Sequence, residues 1–163
     1  MTENLDIARL ASRHGVPPDL LKAIVEVESG GDPRAMRYEP EFDYLVDPDT
    51  GESFDGEPDA IPAPSGVSPW TEYIGQRTSW GPMQIMGATA RELGFEGRFF
   101  TELCDEGLEW GCRYLVRLRE RHGDWEAAAA AYNAGSPRRT DDGEWENQEY
   151  IDKLKEAGWA PTT

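Results

Sequence analysis

The sequence predicts a single, mainly α-helical domain interrupted by one long polar loop region. Three observations lead there. The chain has 163 residues, one domain at roughly 100 to 200 residues per domain. Apolar residues recur at helical spacing on both sides of residues 38–80. That middle stretch is rich in proline and acids and carries no helical period. Internal repeats and a strand–helix alternation are both missing from the pattern, which removes doubly wound and barrel architectures.

The elements follow in order. Residues 4–12 and 18–29 read as two helices separated by His14-Gly15-Val16-Pro17, with Pro18 tolerated in a first helical turn. Gly30-Gly31-Asp32-Pro33 ends the second. Residues 38–80 read as an acidic loop insertion with one short hairpin around Asp49-Thr50-Gly51. A loop of that length inside a compact domain is usually functional. Helices return from Gly87: residues 88–93, then 106–121 with Leu108, Cys112, Leu115 and Leu118 on one face. Asp124 caps a helix over 125–133 and Gly135 closes it. The last helix runs over residues 147–157 through Tyr150, Ile151 and Leu154.

Composition excludes several classes. Thirty-two acidic against 16 basic residues give a net charge of −16, the wrong sign for gripping a phosphate backbone, so nucleic acid is not an expected partner. Seventeen aromatic residues, six Trp, six Tyr and five Phe, supply a core and argue against disorder. No stretch approaches the roughly 18 apolar residues of a membrane span, so no membrane insertion is expected. The N-terminal MTENLDIARLASRHG lacks a basic region followed by an apolar one, which predicts synthesis in the cytoplasm without a signal peptide. Cys104 and Cys112, if both on one helix, lie about 12 Å apart along its axis and read as free thiols. Two cysteines and two isolated histidines give no zinc spacing, and no metal or cofactor is expected.

One carboxylate stands out. With Leu20 at zero on a wheel of 100° per residue, Ile24 falls at about 40°, Leu21 at about 100° and Val25 at about 140°. Glu28 lands at about 80°, inside the apolar arc, whereas Glu26 lands at about 240°, beside Asp19 and Lys22 on the wet face. Burial and a place in the last turn, at the negative end of the helix dipole, both disfavour the ionised form. Glu28 thereby acquires the character of a general acid at neutral pH. A glutamate whose stem packs while its carboxylate reaches solvent at a fraying helix end would occupy the same wheel position. The adjoining Ser29-Gly30-Gly31 favours the functional reading, because small residues let a polymer approach the carboxyl closely.

Other candidates are weaker. His14 lies in the turn between the first two helices and His122 at a helix C-terminus, where a cation suits the dipole, and both read as structural or solvated. No G-x-S-x-G, P-loop or H-E-x-x-H segment occurs. The alanine run 127–131 reads as close-packed core, leaving Tyr132 and Asn133 as its informative polar end. Trp70, Tyr73 and Trp80 are candidate sugar platforms, although loop aromatics more often pin a loop to the core.

Three segments stand in order along the chain: Ala23-Ile24-Val25-Glu26-Val27-Glu28-Ser29-Gly30-Gly31, then Gly81-Pro82-Met83-Gln84-Ile85-Met86 with Thr89-Ala90, and Ala130-Ala131-Tyr132-Asn133-Ala134-Gly135. Together they resemble the SLT-type lytic transglycosylases, lysozyme-like enzymes that cleave the glycan of peptidoglycan. The resemblance implies a lysozyme-like fold and a sole catalytic acid and base at Glu28, in agreement with the wheel. It implies that Gln84 lines the sugar groove and that Tyr132 supports the catalytic carboxyl or the substrate's acetamido group, with Ser29, Met83 and Asn133 as neighbours. Pro82 departs from the family's usual Leu. The segment 38–80 is longer than the family's usual connection and begins Arg37-Tyr38-Glu39-Pro40, a form associated with phage and prophage members.

The reaction so implied cleaves the bond between N-acetylmuramic acid and N-acetylglucosamine and closes a 1,6-anhydro ring, acting as a monomer on glycan strands. The setting implied is the bacterial wall, reached after holin-type release or as part of a virion. The nearest rival is a goose-type lysozyme, an inverting hydrolase that needs a second carboxylate. Those lysozymes carry an aspartate two residues after the groove glutamine, where this chain has Met86. The acids Glu39, Glu41, Asp43 and Glu72 remain candidates to fold over the cleft. Glu39 is the best placed, because only 11 residues separate it from Glu28 and Gly30-Gly31 turns the chain back. Rivals of other classes are a non-catalytic wall-binding or virion-assembly module and an acidic mimic of nucleic acid.

Overall fold

In the computed structural model of the protein, the backbone is described for residues 2–161 and the side chains for residues 7–161. The fold is mainly helical, with helices α1 (Thr2–His14), α2 (Pro18–Ser29), α3 (Pro69–Gln76), α4 (Gly87–Glu92), α5 (Gly107–His122), α6 (Trp125–Ala134) and α7 (Gln148–Glu156). Strands β1 (Met36–Tyr38), β2 (Thr78–Trp80) and β3 (Ile85–Met86) form one antiparallel sheet in that order. The chain divides into two units, one spanning Gly31–Trp110 and the other taking the chain before and after it.

In the flanking unit, α2 starts on Pro18 in its first turn and stops at Gly30, whose left-handed φ of 61° lets its N–H reach the Glu26 carbonyl. Its buried face, Leu20, Leu21, Ala23, Ile24 and Val25, packs on α1 and α7. The Asp124 carboxylate caps α6 by accepting the Ala127 N–H at 2.8 Å, and Gly135 closes the helix at φ 76°. Ala127 to Ala131 are all buried, so α6 approaches α7 with no side chain larger than a methyl along that run. Tyr150, Ile151 and Leu154 form the buried face of α7.

The unit Gly31–Trp110 holds the sheet, α3, α4 and a short π-helix over Phe99–Leu103. Its core stacks Trp80 on Phe99 at 5.7 Å between ring centroids, so Trp80 is core and not a sugar platform. The hairpin expected around Asp49-Thr50-Gly51 is present: Val46 bridges Ser53, the Asp47 carboxylate accepts the Asp49 N–H, and Gly51 turns at φ 73°.

The rest of residues 38–80 departs from the loop reading, because α3 and β2 both lie inside it. The cause is visible in α3. Its buried residues are Glu72, Gly75 and Gln76, while Trp70 and Ile74 face solvent, so an apolar period cannot reveal it. It forms because Pro69 occupies its first turn and the Ser68 hydroxyl accepts the Thr71 N–H at 3.1 Å.

The buried polar side of α3 is fully partnered. Glu72 accepts Arg91 Nε at 2.7 Å and Nη2 at 2.9 Å, Gln76 Nε2 donates to Glu72 at 2.9 Å, and Gln76 pairs with both backbone groups of Val46. Arg91 Nη1 reaches the Phe95 carbonyl, and the guanidinium lies over the Phe99 ring at 4.3 Å. Glu72 is therefore a structural anion holding α3 to α4, which corrects its candidacy as an acid over a cleft. Cys104 precedes α5 and Cys112 lies within it; both are buried and neither is in a disulfide, as the sequence predicts.

Candidate active site

Glu28 occupies the last turn of α2, half-buried, while Glu26 is exposed. The two-residue offset on a 3.6-residue period thus separates their environments in the direction the wheel gives. The Tyr150 hydroxyl donates to Glu28 Oε1 at 2.7 Å. Tyr150 comes from the buried face of α7, which packs on α2, so the hydrogen bond joins the two helices at the carboxylate.

Tyr132, near the end of α6, is half-buried, with its ring 5.3 Å from that of Tyr114. Burial first, then the Glu28 charge, pushes the Tyr132 phenol well above its ordinary pKa. The same two causes, followed by the hydrogen bond to Glu28, raise the Tyr150 phenol far above the ordinary tyrosine value. Both hydroxyls are therefore protonated at neutral pH. Around Glu28 the two tyrosines are neutral dipoles, available as donors to a carboxylate or to a bound polar group.

A set of contacts fixes the start of α7 and with it Tyr150. Asn147 Nδ2 donates to the Ala130 carbonyl and to Asn133 Oδ1, each at 3.0 Å. Trp145 Nε1 donates to Glu126 at 2.7 Å, and the Arg139 guanidinium stacks 3.6 Å above the Trp145 ring. Asn133 thus ties α6 to α7 while its side chain remains exposed. Ser29 Oγ bonds back to the Val25 carbonyl at 3.2 Å, within α2.

The remaining candidates lie in the unit Gly31–Trp110. Gln84 sits in the turn between β2 and β3 with φ 49°, the only non-glycine among the described residues at positive φ. Such a backbone costs about 1–3 kcal/mol and persists where its surroundings hold it. Here Gln84 Nε2 donates to the Gly81 carbonyl and the Ser79 hydroxyl donates to Gln84 Oε1, each at 2.9 Å. Met83 in the same turn is wholly buried, so its side chain anchors the turn from inside. Glu39, just past β1, is half-buried and pairs with Arg37, and its N–H bonds to the Arg77 carbonyl at 2.8 Å.

Sequence reasoning singled out Tyr132 and passed over Tyr150, whose helical period with Ile151 and Leu154 reads as plain core. The available signal was chemical, since a tyrosine on a buried helix face needs a partner for its hydroxyl. Among the described residues no group of three or more His, Cys, Asp or Glu is arranged to hold a metal ion, and no helix is long and apolar enough to cross a membrane.

The sequence model of the family described as Transglycosylase SLT domain matches residues 7–155, running through both units. No curated protein and no solved structure matches the chain.

Proposed function

The chain belongs to the transglycosylase SLT domain family, whose members act on peptidoglycan, and from that premise we propose that it is a lytic transglycosylase with Glu28 as its single acid and base. The observation that carries the assignment is the Tyr150–Glu28 hydrogen bond at 2.7 Å, which holds one half-buried carboxylate at a helix end beside a second neutral phenol. In this reading, protonated Glu28 donates to the leaving oxygen between N-acetylmuramic acid and N-acetylglucosamine as positive charge develops at C1. The substrate's acetamido oxygen stabilises that charge. Glu28, now a carboxylate, takes the proton of the muramoyl 6-hydroxyl, and that oxygen closes onto C1 as the 1,6-anhydro ring. Mass spectrometry of the released muropeptides tests this, because an anhydro end is one water lighter than a hydrolytic end.

Tyr150 is a positioning residue in this scheme. Its O–H stabilises the ionised form of Glu28, so Tyr150→Phe raises the proton affinity of the carboxyl. The acid then stays protonated to higher pH, and the alkaline limb of the kcat profile should move upward while kcat falls by roughly tenfold. An unmoved limb would leave Tyr150 as packing only. Tyr132→Phe should lower turnover by less than Glu28→Gln, since it deletes one hydroxyl and leaves the acid; unchanged turnover would return Tyr132 to the core.

Gln84, pinned in its left-handed turn, is assigned to the glycan, with Met83 supporting the turn and Ser29 and Asn133 bordering the Glu28 and Tyr132 helix ends. Glu39 is assigned an electrostatic or substrate-positioning role. Glu39→Gln should slow the reaction and leave the anhydro product unchanged. Reducing-end products from the wild type, lost in that variant, would instead make Glu39 the base of an inverting hydrolase.

The family match through both units supports a single catalytic domain over residues 1–163, which one cooperative unfolding transition would bear out. The segment Arg37-Tyr38-Glu39-Pro40 supports a phage-type lytic role, with the protein working as a monomer on the wall after holin-type release or from a virion. Clearing of permeabilised Gram-negative cells tests it, and wall binding without clearing would mark a non-catalytic module.

A further inference from the structure

The inverted polarity of α3 has a counterpart on the surface. A groove of about 820 Å³ within the unit Gly31–Trp110 is lined by Met36, Trp70, Ile74 and Phe100, which are 53%, 56%, 44% and 55% exposed. These are four of the six large apolar side chains exposed among the described residues, so the apolar surface is gathered here rather than scattered.

The groove is distinct from the Gln84 turn. Strand pairing sets Met36 opposite Trp80 and Arg37 opposite Ser79. Side chains alternate along a strand, so Met36 and Trp80 face one side of the sheet, and Ser79, the partner of Gln84, faces the other.

The charge of the groove selects its occupant. Glu72 and Arg91 at its base neutralise each other. Arg98 on its wall is exposed and has no hydrogen-bonded or ion-paired side-chain partner among the described residues. In a chain of net charge −16, this groove therefore offers an uncompensated guanidinium, which suits a carboxylate. A sugar ring would need many hydroxyl partners, but Ser68 and Thr71 bond to each other at 2.9 Å and the Thr78 hydroxyl is committed to the Ile74 carbonyl, which leaves Thr101 as the one uncommitted hydroxyl among the described residues of the lining. Apolar walls with one free cation fit small aliphatic side chains next to a free carboxylate.

We propose that this groove docks the peptide portion of the wall polymer, an apolar peptide bearing free carboxylates, with Arg98 taking a carboxylate and Trp70, Ile74, Met36 and Phe100 taking the aliphatic groups. The proposal rests on the reading of the chain as a peptidoglycan enzyme. It makes the substrate a peptide-bearing strand rather than bare glycan.

The test uses the full chain carrying Glu28→Gln, which leaves the polymer intact, mixed with insoluble peptidoglycan and with the same glycan after enzymatic removal of its peptides. Arg98→Glu should weaken retention on the peptide-bearing polymer by roughly tenfold, as loss of one charge-assisted contact does, and Trp70→Ala should act in the same direction. Neither should change retention on the stripped glycan. In the chain with Glu28 restored, both substitutions should raise KM on peptide-bearing strands at constant kcat. Both residues are exposed, and wild-type melting temperatures of the variants would show that the fold is kept. Equal losses on the two polymers, no loss on either, or a wild-type dimer dissolved by Trp70→Ala would overturn the proposal. A wild-type chain that binds with this peptide dependence and cleaves nothing would overturn the lytic reading and leave the groove standing.

Discussion

The Glu28→Gln protein is expected to fold as the wild type does and to lose lytic turnover by roughly 10²- to 10⁴-fold, the range of a general acid–base group. Glutamine keeps the size of the side chain, and its carbonyl oxygen still accepts the Tyr150 hydroxyl, so the link between α2 and α7 survives. What disappears is the transferable proton. In the proposed mechanism one residue serves first as acid and then as base, so both halves of the reaction fail together, which places the loss at the upper end of that range. Glu26→Gln is the matched control, two residues away on the same helix and exposed, and its turnover should be nearly unchanged. Release of soluble muropeptides measures both, with circular dichroism as the check on folding. Equal losses from the two substitutions would mean that the α2 environment does not select the acid.

The helical parts of the molecule were legible because their residues obey one rule at a time. In α2, proline at the start, glycine at the end and an apolar arc between them agree, and the position of Glu28 relative to Glu26 follows from the same period. In α6 the cap residues Asp124 and Gly135 do what their chemistry suggests. Helix α3 was hidden because its apolar residues point outward and its charged residue inward, the reverse of the usual amphipathic pattern. Tyr150 was hidden for another reason. Its partner Glu28 lies 122 residues away, and no local pattern encodes a contact across that separation. The left-handed Gln84 was likewise illegible, since a glutamine carries no conformational signature of its own and is held by Ser79 and Gly81.

The ion pair that hid α3 should also be the structure's most sensitive point to a single core substitution. Arg91→Met is expected to lower the unfolding free energy by about 3–5 kcal/mol, the cost of leaving a buried charge uncompensated. Glu72 is wholly enclosed and Arg91 nearly so, with side-chain exposures of 0% and 1%, so water cannot replace the lost partner. Methionine fills much of the same volume, which keeps a cavity from dominating the result. The Phe95 carbonyl would lose the Nη1 donor as well, and the Phe99 ring its cation. Charge, rather than packing, is isolated by the double variant Glu72→Leu/Arg91→Met, which removes both ions. It should recover a substantial part of the stability lost in Arg91→Met alone, although Gln76 then loses its Glu72 acceptor and keeps only Val46. Urea unfolding of the two variants beside the wild type measures the difference. If the double variant is no more stable than Arg91→Met alone, α3 is held by shape, and the groove formed by its outward face needs no buried ion pair beneath it.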